Sequence, residues 1–109
     1  MPLERLKRKT TIECLWIHIL SLMKDKPLYA YEVREKLESQ SGFKIGQVTA
    51  YMVLYKLERD GFVKAQWETI ENRKRKYYTI TEEGENLLKK GEKYVQLLTK
   101  KLFRQSGLN

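Results

Sequence analysis

In the stretch QVTAYMVLYKLERDGFVKAQWETIENRKRKYYTITEEG, Gln47 to Gly84, the spacing of apolar residues changes twice. From Gln47 to Asp60, the residues Ala50, Val53, Leu54 and Leu57 recur at three- and four-residue steps, which puts them on one face of a helix that Gly61 ends. From Phe62 to Ile70 the step becomes two, with Val63, Ala65 and Trp67 alternating against Lys64, Gln66 and Glu68. The segment RKYYTI, 75–80, is rich in strand formers, and ENRK, 71–74, between the two runs can turn the chain. Thr81 then reads as an N-cap, with Glu82, Glu83 and Glu85 placing negative charge at the positive end of a new helix dipole. The stretch is a helix, a β-hairpin and the start of a second helix.

Upstream, Ile12, Leu15, Trp16, Ile19, Leu20 and Met23 define a buried stripe on a helix over Thr11–Met23, which Pro27 brings to an end by disfavouring helical backbone in the residue before it. A second helix, YAYEVREKLESQSG (29–42), turns Ala30, Val33 and Leu37 inward and finishes at Gly42 in a left-handed cap. Downstream, the helix that begins after Thr81 carries Leu87, Leu88, Tyr94, Val95, Leu98 and Leu102, a seam longer than so small a core can cover. In the second hairpin strand, Tyr78 and Ile80 share the inward face, and Trp67 is expected to pack beneath the hairpin. The fold class is therefore mainly α with a small β-hairpin, in the order α-α-α-β-β-α. One domain spans 1–109, with a core over 11–80 and a C-terminal helical segment over 81–105.

Charge narrows the partners. The 109 residues carry 22 Lys and Arg against 14 Asp and Glu, a formal charge of +8, and a pI near 9.6. A field of that sign favours a polyanion through counterion release, with nucleic acid ahead of an anionic membrane surface. No segment is apolar for the roughly 20 residues that span a bilayer, and MPLERLKRKT has no apolar core behind its charges, so an intracellular, cytoplasmic protein is expected. Cys14, the one cysteine, cannot form an internal disulfide.

Two helices joined by a short glycine-containing turn and followed by a hairpin with a cationic end make a winged helix-turn-helix. The second helix of the pair would enter the major groove of double-stranded DNA. Its outward face carries Tyr51, Met52, Tyr55, Lys56 and Arg59, with Gln47 and Thr49 near its start and Lys44 in the turn before it. Hydroxyl, amide and ammonium groups there suit base edges and phosphates. Arg73, Lys74, Arg75 and Lys76, at or beside the hairpin turn, would project charge toward the phosphate backbone or minor groove.

These residues resemble a family, the PadR-like winged-helix transcriptional regulators. The resemblance rests on TAYMVLYKLERDGFV, similar to the family's recognition helix, and on RKRKYYTITEEG, similar to its wing and following helix. It covers about Leu15 to Lys90. It implies a homodimeric DNA-binding repressor of the compact branch, whose single C-terminal helix packs on the partner's N-terminal and C-terminal helices. The chain departs from the family pattern at Asn72 and Lys74, where a glycine-rich turn and a proline are common, and at Met52, where proline is frequent. The apolar seam independently argues for a homodimer through Leu87, Tyr94, Val95, Leu98 and Leu102.

Other chemistries fare less well. Cys14 and His18 lie one helical turn apart but make only two corners of a metal site, so no metal and no cofactor are expected. There is no nucleophile–base pair or glycine-rich phosphate loop, so no enzymatic activity is expected. Trp16 could line a space for an aromatic effector at the dimer centre, although an aromatic at helical spacing is more often core. A winged helix serving protein or RNA contacts is the remaining alternative.

Overall fold

The computed structural model describes residues 1–104; Gln105, the last residue of the C-terminal segment assigned from sequence, and the residues after it lie outside the described part. The elements are α1 (Pro2–Thr10), one 3-10 turn (Ile12–Cys14), α2 (Leu15–Leu22), β1 (Leu28–Tyr29), α3 (Ala30–Lys36, continued by a π turn over Leu37–Ser41), α4 (Gln47–Arg59), β2 (Val63–Ile70), β3 (Arg73–Ile80) and α5 (Glu82–Leu102). The winged helix-turn-helix is present as expected.

The N-terminal helix α1 is an addition to the expected order. Pro2 opens it at a position that needs no amide hydrogen, Glu4 sits in its first turn and Lys7, Arg8 and Lys9 in its last. It ends because Thr11 leaves helical backbone and the hydroxyls of Thr10 and Thr11 fold back onto the carbonyls of Leu6 and Lys7, at 2.8 and 2.6 Å. The helix expected over Thr11–Met23 is thereby shortened to Leu15–Leu22, and Ile12, assigned to its buried stripe, is exposed.

The core joins Leu15, Ile19, Leu20 and Met23 of the first stripe to Val33 and Leu37 of α3 and Leu54 and Leu57 of α4. Across it lies a sheet of three strands in the order β1-β3-β2, all antiparallel. Tyr29, expected to open the second helix, instead sits in β1 and pairs with Tyr77, while its amide donates to the Glu32 carboxylate at 3.1 Å to start α3. Tyr78 is buried and Ile80 is half-buried against the core, the inward face assigned to them. Trp67 corrects an expectation: it is 64% exposed. It shares the face of Val63 and Ala65, but the hairpin at that point has passed the edge of the core.

One joint sets the direction of α5. At the end of α4, Gly61 adopts φ of 83°, and the amides of Gly61 and Phe62 return to the carbonyls of Glu58 and Leu57, both orphaned by the helix end. Thr81 donates its amide to the Phe62 carbonyl at 3.1 Å and its hydroxyl to the Gly61 carbonyl at 2.7 Å, while that hydroxyl caps α5 by accepting the Gly84 amide at 3.0 Å. Gly84 is buried there. A Cβ on it would overlap the Phe62 carbonyl oxygen and lie 2.8 Å from Cγ1 of Ile80. Farther along, Gly91 lets α5 cross α2 closely, since a Cβ would come within 2.9 Å of Ile17. Beyond Gly91 the helix is exposed to its end.

Two tests follow from this packing. Gly84→Ala should lower stability by roughly 3 kcal/mol in urea unfolding, because neither backbone oxygen nor strand side chain can move aside, whereas Gly46→Ala, whose Cβ would meet open space, should change it by less than about 1 kcal/mol. Burial pushes the Tyr78 phenol above the ordinary tyrosine range, with Lys76 acting in the opposite sense and Glu58 in the same one. The folded chain therefore keeps this proton to higher pH than the unfolded chain. The associated stability is fully present below the unfolded phenol's pKa, about 10, and is lost as pH rises through the raised folded value. The urea midpoint should fall above about pH 10 in the wild type and fall less in Tyr78→Phe.

Candidate nucleic-acid interface

The turn that feeds α4 is pinned from behind. Gly42 takes φ of 80°, Arg34 donates to the Ile45 carbonyl at 3.4 Å, and Lys44 pairs with Glu38 at 3.3 Å while staying exposed. With Ala50, Leu54 and Leu57 buried, α4 has its opposite side in solvent. Gln47, Thr49, Tyr51, Met52, Tyr55, Lys56 and Arg59 all lie outside the core there, as the sequence implied. Arg59 is partly engaged, its Nε lying 3.1 Å from a carboxylate oxygen of Asp60. Val48 also stands on this side, 72% exposed, although it was not among the candidates. Its signal was available: it is an apolar residue that falls off the buried stripe.

The four cations of the wing have different surroundings. The turn is only Glu71-Asn72, both at positive φ (52° and 65°), the geometry that a two-residue hairpin requires. ENRK is therefore not all turn. Arg73 and Lys74 lie on β3 opposite Ile70 and Thr69, and both are exposed. Arg75 lies with its guanidinium carbon 4.5 Å above the Tyr29 ring, and Lys76 pairs with Glu58 of α4 at 3.4 Å while standing 5.5 Å from the centre of the Tyr78 ring. The outer pair faces solvent; the inner pair fixes the wing to β1 and to the end of α4.

Between wing and helix lies a cleft of about 520 Å³, lined by Tyr29, Ala30, Tyr31, Tyr51, Trp67, Lys74, Arg75 and Lys76. Tyr29 stacks on Tyr31 and meets Tyr77 edge to face. Phenol hydroxyls, an indole and three cations around one open cleft suit a phosphodiester strand with its sugars. Tyr29 and Tyr31 were missed as members of this surface because their nearness to β3 depends on the β1–β3 pairing, and Trp67, opposite Lys76 in the hairpin, because it was assigned to packing beneath the hairpin.

The remaining sequence candidates are dispersed. His18 Nε2 is 2.7 Å from the Thr10 carbonyl oxygen and its ring meets Phe43 edge on, so it links α1 to the helix-turn-helix turn. Burial raises the Cys14 thiol above its ordinary pKa, and among the described residues no three His, Cys, Asp or Glu side chains converge as a metal site. Trp16 lines an apolar groove of about 550 Å³ with Ile12, Leu15, Val53, Leu57, Phe62 and Leu87, edged by Glu13, Lys56 and Asp60. Leu87 and Leu88 pack on their own chain's core, whereas Tyr94, Val95, Leu98 and Leu102 are exposed.

Comparison with known proteins matches residues 19–90 to the family described as the transcriptional regulator PadR-like family. An uncharacterized protein from Lysinibacillus sphaericus is 33% identical over 73 residues, 64% of this chain and 67% of that one. A padr family transcriptional regulator from Eggerthella lenta DSM 2243 superposes with a TM-score of 0.77 at 25% identity, covering 94% of this chain and 93% of that one. Bacillus subtilis PadR, solved in complex with operator DNA, is similar in fold with a TM-score of 0.66 at 24% identity, over 71% of this chain and 45% of that one.

Proposed function

The chain belongs to the PadR-like family of transcriptional regulators, and on that premise we propose that it is a homodimeric, sequence-specific double-stranded DNA-binding repressor, cytoplasmic and without enzymatic activity. The observation that carries this reading is that α4 leaves Gln47, Thr49, Tyr51, Tyr55 and Lys56 exposed while the wing, tied to α4 through Lys76 and Glu58 and facing Tyr51 across the cleft, leaves Arg73 and Lys74 exposed. Bacillus subtilis PadR, which has this fold, was solved on operator DNA. With α4 in the major groove, the hydroxyls of Thr49 and Tyr51, the Gln47 amide and the Lys56 ammonium meet base edges, and Met52 and Tyr55 add contact area. Lys44, Arg73 and Lys74 meet phosphates. Arg75 and Lys76 border the same strand but serve chiefly to hold the wing in place.

Dimerisation supplies the second half-site. Tyr94, Val95, Leu98 and Leu102 extend beyond the protomer's own core, and a second copy covers them about a two-fold axis with Leu87 at the inner edge of the seam. Two copies of α4 then address half-sites about one helical turn, roughly 34 Å, apart. Repression follows from occupancy of a promoter. The groove at Trp16 supports one further element of the reading: it touches the back of α4 at Val53 and Leu57, so an aromatic effector held there would act on the recognition helix directly.

Four measurements test the proposal. A gel shift with the duplex flanking the protein's own gene should show a complex that random duplex and RNA compete for poorly; equal competition by RNA would point to the alternative module. Changing Arg73 and Lys74 to Ala should weaken all duplexes alike and flatten the salt dependence by about 0.9 in log–log slope for each phosphate that is no longer neutralised. Tyr51→Phe or Lys56→Ala should instead narrow the gap between operator and random DNA, by roughly 1–3 kcal/mol for each base edge involved. Leu98→Glu places a charge in the seam and should yield monomers in sedimentation; an unchanged dimer would rule out this interface.

A further inference from the structure

The outward face of α4 is apolar where a recognition helix goes deepest. Val48, in the first turn, is 72% exposed, and Met52, one turn on, is 54% exposed. Four residues apart, the two lie about 40° from each other around the helix and so form one column. Ala50 and Leu54 bury the opposite side, so neither residue is held outward by a failure of the core. An aliphatic column in open water at the start of an exposed helix marks a contact surface. Its surroundings say which kind: Lys44 is exposed nearby, Lys56 lies one turn on, and the chain carries a formal charge of +8, which selects a polyanion over an apolar protein face.

Val48 has no polar side-chain atom and Met52 only a weak acceptor, so neither reads the donor and acceptor pattern of a base edge. Only one apolar group faces the major groove, the C5-methyl of thymine. Resting on the DNA-binding reading above, we propose that Val48 and Met52 are specificity-determining residues that select thymine at adjacent positions of each half-site by covering its C5-methyl. The N-terminal turns of a helix in the major groove are those that reach base edges, which is where both residues stand. Thr49 and Tyr51 supply the neighbouring polar contacts.

The test begins with selection of a preferred duplex from a random library by the full chain. Each thymine in that duplex is then replaced by deoxyuridine, which removes the methyl and leaves base pairing and groove hydrogen bonds in place. Two adjacent replacements per half-site should weaken the wild type about three- to fivefold each, the value of one buried methyl. Val48→Ala and Met52→Ala should each erase the difference at one of those positions, the variant binding the thymine and the deoxyuridine duplex alike there. Both sites are exposed in a helix that favours alanine, so folding is preserved. A preferred duplex whose affinity is indifferent to every such replacement, or whose half-sites lack thymine, overturns the proposal and leaves the DNA-binding reading standing. Failure to select any preferred duplex overturns both.

Discussion

Thr81 joins the three parts of the molecule that have to be held in fixed relation. Its amide and hydroxyl take the carbonyls of Phe62 and Gly61 at the end of α4, and the same hydroxyl caps α5. Because Gly84 has no Cβ, the first turn of α5 can lie directly on the Phe62 carbonyl. The base of the hairpin is thus bound to the end of α4 and to the start of the long helix at one point. Rotation of any of the three would break the bonds these two carbonyls accept from Thr81 and, with them, the cap on Gly84.

The wing is held at a second point farther out. Lys76 reaches Glu58 on α4 and Arg75 covers the Tyr29 ring, so two of the four consecutive cations are committed within the protein. Such partly exposed pairs add little to global stability. Their effect is positional: they keep a short hairpin with a two-residue turn from swinging across the cleft. Arg73 and Lys74, nearest the turn, are left to present charge on a surface whose distance from α4 is already set.

The length of α5 answers to a different constraint. Its first half is anchored, by Thr81 at one end and by the close crossing of α2 at Gly91. Its second half carries Tyr94, Val95, Leu98 and Leu102 into solvent. A stripe of that size on an isolated helix half gains nothing from the protomer, and burial against a like stripe removes both from water at once. The close crossing matters here, since an angle set by Gly91 also sets where a second copy of α4 would lie.

How much of this was legible in the chain depended on whether the signal was local. The shift from helical to strand spacing and back, the glycine stops at Gly42 and Gly61, the Thr81 cap and the inward face at Tyr78 are all short-range, and each is where local spacing and backbone chemistry place it. The outward residues of α4 followed from the same periodicity, because a helix that buries Leu54 and Leu57 has no choice about its other side. What tertiary structure alone decided were matters of pairing and reach. Ile12 and Trp67 have core-like patterns yet lie past the core's edge, and α1 has a helix's end signals without a buried stripe to reveal it. Tyr29 and Tyr31 line the cleft beside the wing only because two residues of β1 pair with β3, and Lys76 is held within the protein only because Glu58 is one helix end away. Periodicity reports which side of an element is buried; it carries no information about how far the neighbouring elements extend, and those distances divide a run of four cations into two that face solvent and two that hold the wing.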